Sequence, residues 1–205
     1  MNILIVSHEY PPIGGGGANA CYYLSKEYAK SGHRVTIVTA LYKDLPKEET
    51  IDGVQVVRVR VLRKEEEKST FFEMLTYLVS AWHKISRMVK KEKFDVCQIF
   101  FGIPSGPIGW YLKKKHHIPY IIRFGGGDIP GAQKRFSIVY KILTPAIRAI
   151  WANADALVAN SEVLRDRALS FESKYPIEII SNGVDSGDFS KDTEPKKEDK
   201  KIEIL

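Results

Sequence analysis

MNILIVSHEYPPIGGGG, residues 1–17, sets the apolar run Ile3-Leu4-Ile5-Val6 directly against small and polar residues, two prolines and four consecutive glycines. A short apolar run bounded by turn residues reads as a buried strand entering a loop. Apolar or aromatic residues at Ala20, Tyr23, Leu24 and Tyr28 then recur at helical spacing, and Gly32 after Ser31 is placed to end that helix in a left-handed turn. Gly14, Gly15, Gly16 and Gly17 therefore sit at a helix N-terminus. Amides without Cβ obstruction can approach a phosphate there, and the helix end contributes about half a positive charge.

The alternation continues outward from this unit. Val35 to Thr39 reads as a second buried strand, 42–53 as a polar, turn-rich segment, and 54–61, alternating apolar with polar or basic residues, as a half-exposed edge strand. Phe71, Leu75, Leu78, Trp82, Ile85 and Val89 make a stripe of helical period. Strands follow at 95–101, 119–123, 156–160 and 177–180, with helices at 104–115, 136–152 and 162–169 between them and a second glycine-rich loop at 125–131. Strand and helix in regular succession predict an α/β, Rossmann-like, doubly wound fold: a mainly parallel sheet with helices on both faces. Ligands of such sheets bind at the carboxyl ends of the strands.

The chain has 205 residues, 44% of them apolar and 11% aromatic, enough for one substantial core. Residues 1–189 read as one domain, 190–201 as a charged linker, and the apolar run 202–205 as the first strand of a further domain. No apolar stretch approaches the ~18 residues of a spanning helix, and the start lacks signal-peptide features, which makes the cytoplasm the expected compartment. Cys21 and Cys97 fall in a helix and a strand, and read as separate core residues rather than a disulfide or metal pair. A net charge of +6 suits an anionic partner without choosing among phosphorylated substrates, nucleic acids and membrane surfaces. The lysines at 113–115 lack the interleaved aromatics of a nucleic-acid site, so no nucleic acid is expected. Basic and aromatic residues along 71–91 fit either an ordinary sheet-covering helix or peripheral adsorption to the inner face of a membrane.

A nicotinamide-dependent enzyme is one reading of the first loop, but the fit to a dinucleotide fingerprint is poor. Asn19 stands where its third glycine belongs, and the second strand ends Val38-Thr39-Ala40 without a ribose-binding acid. A stand-alone ligand-binding module of the same fold is another reading. A different likeness runs through the whole chain. The strand with its "P-P" and "G-G", then Gly32-His33-Arg34-Val35 ("G-H-x-V"), 125–128 ending in Asp128 ("G-x-D"), Ala159-Asn160-Ser161-Glu162, and Asn182-Gly183-Val184-Asp185 followed by Phe189 ("N-G-V-D…F") together resemble the family 4 glycosyltransferases.

The resemblance implies a GT-B architecture in which this domain mainly holds the acceptor and a C-terminal domain binds the nucleotide-sugar. It implies sugar transfer with retention of configuration, no cofactor and no obligatory metal. Acceptors would be glycans, glycolipids or lipid-linked sugars, and this half alone would be inactive. By resemblance, Gly14 to Gly17 would face the donor phosphates and sugar, and Asp128 would lie near sugar or acceptor hydroxyls, although a turn-capping carboxylate explains it as well. His8, Arg123, Gly126, Gly127, Ser161 and Glu162 are candidates for the acceptor side of the cleft. An ion pair with a neighbouring carboxylate is the simpler account of Arg123. Asn182, Gly183 and Asp185 belong to the hinge side, and Asn182-Gly183 suits a tight turn of positive φ. Family members commonly carry a histidine at the head of the "G-x-D" loop, where this chain has Gly125.

Overall fold

A computed structural model describes residues 1–66, 69–132 and 137–183. In chain order the elements are β1 (Asn2–Val6), α1 (Gly16–Lys30), β2 (Arg34–Ala40), β3 (Glu48–Ile51), β4 (Val54–Val59), α2 (Phe71–Met88), β5 (Val96–Phe100), α3 (Gly102–His116), β6 (Tyr120–Arg123), α4 (Ser137–Asn153), β7 (Ala156–Ala159), α5 (Glu162–Phe171) and β8 (Glu178–Ile179). The strands form one sheet in the order β3-β4-β2-β1-β5-β6-β7-β8, parallel throughout except for the β3–β4 pair.

Handedness then distributes the helices. The step from β1 to β2 runs in one direction across the sheet, whereas the connections through α2, α3, α4 and α5 all run in the other. Right-handed crossovers therefore put α1 on one face and the remaining four helices on the opposite face. The two cores agree. Ile3 and Ile5 pack with Cys21 of α1 and with Val35 and Ile37, while Leu4 and Val6 join a larger core holding Tyr77 and Ile85 of α2, Ile108 of α3, Trp151 of α4 and Ala168 of α5. Helices cover both faces as expected, but unevenly. Cys21 and Cys97 are buried in different cores.

The segment 54–61 is corrected. β4 is an interior strand, and the edge is β3, which lies within the stretch read as turn-rich and pairs with β4 antiparallel. The hairpin turn is Asp52-Gly53, both at positive φ (48° and 80°), a dipeptide that signals such hairpins. Gly32 takes the left-handed conformation (φ 81°) expected at the end of α1. At the start of α2, Thr70 and Glu73 form a reciprocal capping box. Its most buried side is Tyr77, Ala81 and Ile85; of the predicted stripe, Ile85 is buried and Phe71, Leu78 and Val89 pack against the core, whereas Leu75 and Trp82 reach the surface. The proposed linker, the strand at 202–205 and the first residue of the 136–152 helix lie outside the described residues.

Candidate functional site

The winding of the sheet reverses between β1 and β5, so a crevice opens at their carboxyl ends. The glycine run enters it divided in two. Gly14 has φ +94° and a Cβ there would stand 2.7 Å from Glu9 Cβ; a Cβ on Gly17 would stand 2.5 Å from the Phe101 ring. Those two glycines let the chain pack against itself. Gly15 and Gly16 are open on their Cβ side; Gly15 caps α1 without any side-chain hydrogen bond, its N–H faces the Glu9 carboxylate and its carbonyl accepts from Ala18 N–H at 3.0 Å.

Arg63, from the β4–α2 connection, holds this loop from below. Its buried guanidinium donates to the carbonyls of His8 (3.4 Å), Glu65 (2.9 Å) and Glu66 (2.9 Å) and to the Glu9 carboxylate (3.4 Å), while Gly14 N–H donates to Glu66 O at 3.0 Å. Burial raises the Glu9 pKa against the opposing pull of Arg63. Nothing local in the sequence distinguishes Arg63 from its charged neighbours, since its role depends on a loop some 50 residues away.

His8 does not line the open crevice. It is buried with its ring 4.7 Å from that of Phe101 and 6.1 Å from that of Tyr77, beside a cavity of about 10 Å³. Burial first, and Arg63 second, push its pKa down to about 3, so the imidazole is neutral at physiological pH. Its Nδ1 is buried without a hydrogen-bond partner.

Asp128 is likewise turned inward. Its Oδ2 accepts from Gly102 N–H at 2.6 Å, and its Oδ1 from Gly125 and Gly126 N–H at 2.9 Å each. The carboxylate thus ties the start of α3 to the loop after β6. Burial raises its pKa, opposed by these three donors. In the same loop Gly126 takes φ +103° and Gly127 accepts from the Tyr140 hydroxyl at 2.7 Å. A Cβ on Gly125 would overlap the ring of Phe101, which itself holds φ +65°. Phe101 therefore fills the space that a side chain at position 125 would need, a physical reason for glycine at this position. Gly125→Ala is expected to cost about 1–3 kcal/mol in urea unfolding. The cost should largely vanish on a Phe101→Ala background; equal costs on both backgrounds would show that the ring is not the obstacle.

Arg123 has no carboxylate partner among the described residues, contrary to the ion pair anticipated. Its Nη2 donates to Ile180 O and Asn182 Oδ1 at 2.8 Å each, which ties the segment after β8 to the sheet. Gly16, Asn19, Arg123, Asn182 and Gly183 line a cavity of about 590 Å³ that runs along α1. Neither Asn182 nor Gly183 adopts the positive φ anticipated for a tight turn. Ser161 caps α5 by accepting from Leu164 N–H at 3.3 Å, and Glu162 is exposed in the first turn of that helix. Asp185 lies outside the described residues. Of the predicted set, Gly15, Gly16, Arg123, Asn182 and Gly183 share the open side of the carboxyl edge, whereas His8 and Asp128 support it from within.

Residues 14–187 match the model of Glycosyltransferase Family 4. Two uncharacterized glycosyltransferases of Methanocaldococcus jannaschii are 26% and 24% identical, over 92% and 90% of this chain. Those alignments take in 48% and 47% of the relatives, so the chain spans about half the length of the curated relatives it matches. The fold is similar to that of sucrose-phosphate synthase from Thermosynechococcus elongatus (TM-score 0.69, 16% identity, 88% of this chain and 48% of that one). It is also similar to Phytolacca americana UGT2 complexed with UDP-2fluoro-glucose and pterostilbene (TM-score 0.57, 13% identity, 91% and 54%). Fold and crevice define a Rossmann-like glycosyltransferase domain of the GT-B type. The chain belongs to Glycosyltransferase Family 4.

Proposed function

We propose that this domain forms the acceptor side of an enzyme that moves a sugar from a nucleotide-sugar to a glycan, glycolipid or lipid-linked acceptor with retention of configuration. The observation that carries the reading is the pair Gly15 and Gly16, open on their Cβ side at the N-terminus of α1 and at the switch point of the sheet. Oriented amides there would stabilise the negative charge that develops on a leaving phosphate, an effect of order several kcal/mol in such sites. Transfer would be complete only with a C-terminal donor-binding domain, and this half alone would be inactive. It would need neither a cofactor nor a metal. Its place would be the cytoplasm, peripheral to the inner face of the membrane where the acceptor is lipid-linked.

The test uses the full-length protein with a panel of nucleotide-sugars, and follows nucleoside diphosphate release and the anomeric proton signal of the product. Gly16→Glu is the informative variant, because its side chain enters open space, so the fold survives, and brings a negative charge to the proposed phosphate site. Transfer should fall at least about a hundredfold, the cost of losing several kcal/mol at such a site. Full activity in this variant would remove the glycine loop from the mechanism, inversion of the anomeric signal would exclude retention, and loss of rate in EDTA would exclude metal independence.

A further inference from the structure

The outer surface of the α2–α3–α4 layer combines two features that a solvated helical layer does not need together. Apolar side chains are unusually exposed there: Phe72, Val79, Ile138 and Ile142 are 62%, 63%, 74% and 75% accessible, with Leu75 and Leu62 beside Phe72 and Val79 also exposed. Phe72, Leu75, Val79 and Trp82 fall within an arc of about 80° on α2, well away from the buried Tyr77, Ala81 and Ile85. The helix is therefore apolar on its core side and again on its outer side.

The charge of the same layer is one-sided. Helices α2, α3 and α4 carry seven Lys or Arg residues and one acid, Glu73, which is buried in the capping box. Helices α1 and α5 carry four basic residues and three acids. Lys84, Lys113 and Arg148 are paired with Glu48, Asp155 and Glu172, whereas Arg87, Lys114, Lys115 and Lys141 are exposed. Each helix begins at the carboxyl edge of the sheet. The apolar residues Phe72, Leu75, Ile138 and Ile142 therefore stand near the edge that holds the glycine loops, and Arg87, Lys114 and Lys115 lie toward the far ends of their helices.

We propose that this face docks on an anionic lipid bilayer, with α2 and α4 lying along the interface, their exposed apolar residues below the headgroups and the lysines and arginines against lipid phosphates. A second copy fits poorly, because a symmetric contact would set basic surface against basic surface. Docking in this way brings the carboxyl-edge crevice to the bilayer surface, where a lipid-linked acceptor presents its headgroup. The face itself is argued without reference to sugar transfer.

The experiment is flotation of the full-length protein with vesicles of equal parts phosphatidylcholine and phosphatidylglycerol, and with vesicles of phosphatidylcholine alone. Binding should be at least about tenfold stronger to the anionic vesicles and should weaken as salt is added. The Phe72→Ser/Val79→Ser pair should lose about tenfold or more through lost apolar insertion, and Lys114→Glu/Lys115→Glu a comparable factor through lost charge attraction. All four positions are exposed, so the thermal midpoint should be unchanged. Failure of the wild type to float on anionic vesicles at low salt, or flotation of both double variants equal to that of the wild type, would overturn the proposal. So would sedimentation showing a wild-type dimer that Phe72→Ser/Val79→Ser dissolves. Flotation needs no turnover, so its outcome is separable from that of the transfer assay.

Discussion

Acidification from neutral pH should unfold the protein through His8. The histidine is buried between Phe101 and Tyr77, with its pKa lowered to about 3 against 6.5 in the unfolded chain. Between those values the unfolded state binds a proton that the folded state refuses. The stability contributed by the neutral imidazole is thus fully present above about pH 6.5 and is lost as pH falls toward 3. One proton of difference corresponds to about 1.4 kcal/mol per pH unit. Glu9 and Asp128 have raised pKa values and act with the opposite sign, taking up protons in the folded state as pH falls. Because Glu9 Oε1 lies 3.6 Å from His8 Nε2, wild type and His8→Gln are compared on a Glu9→Gln background, where Asp128 is common to both and the difference isolates the histidine. On that background, urea unfolding from pH 7 to pH 4 should show the protein that keeps His8 falling more steeply than His8→Gln by about one proton's slope. Parallel curves would mean that His8 gains access to solvent in the folded state. Because His8 O also accepts from Arg63, acid should loosen the glycine loop before the rest of the sheet.

Asp128→Asn should be the most damaging isosteric change near the crevice. Asparagine keeps one acceptor oxygen for Gly125 and Gly126, but it turns an amide NH₂ toward Gly102 N–H, so that two donors face each other in a buried site. Losing one charge-assisted hydrogen bond and leaving a buried donor unpaired should cost about 2–4 kcal/mol. Equilibrium unfolding measures this directly, and a loss below about 0.5 kcal/mol would sit within the range of ordinary surface substitutions and rule out the tethering role. Kinetics on the full-length protein separate a second role. A carboxylate that only holds two loops together should change KM and kcat to the extent that the fold loosens, whereas one that meets a sugar hydroxyl should lower kcat further at temperatures where the variant is fully folded.

Much of the fold was legible because its signals are local. Apolar runs against Gly-Pro loops, the left-handed Gly32 and the helical periods around 20–28 and 71–89 depend on neighbouring residues, and the structure carries each of them. The edge strand β3 escaped because its residues, Glu48-Glu49-Thr50-Ile51, are polar enough for solvent on one side and lack a buried run; the Asp52-Gly53 turn was the available signal. In α2 the buried and exposed apolar arcs merge into one periodic stripe, and only packing against the sheet and α3 separates them.

By itself, the sequence determined the parallel α/β plan, the position of the glycine loop at the head of α1 and the family to which the chain belongs. These follow from strand and helix periods and from residues that adopt special backbone angles, all encoded within a few positions. Tertiary structure alone decided that Gly14 and Gly17 pack while Gly15 and Gly16 stay open, that Phe101 occupies the space beside Gly125, that His8 is buried neutral and that Arg63 clamps the loop. It also decided that Arg123 binds a backbone carbonyl and Asn182 instead of a carboxylate. The physical reason is distance along the chain: most of these contacts are set by partners brought in from other segments, 55 residues apart for Arg63 with His8 and 57 for Arg123 with Ile180, and no local pattern records which partner arrives.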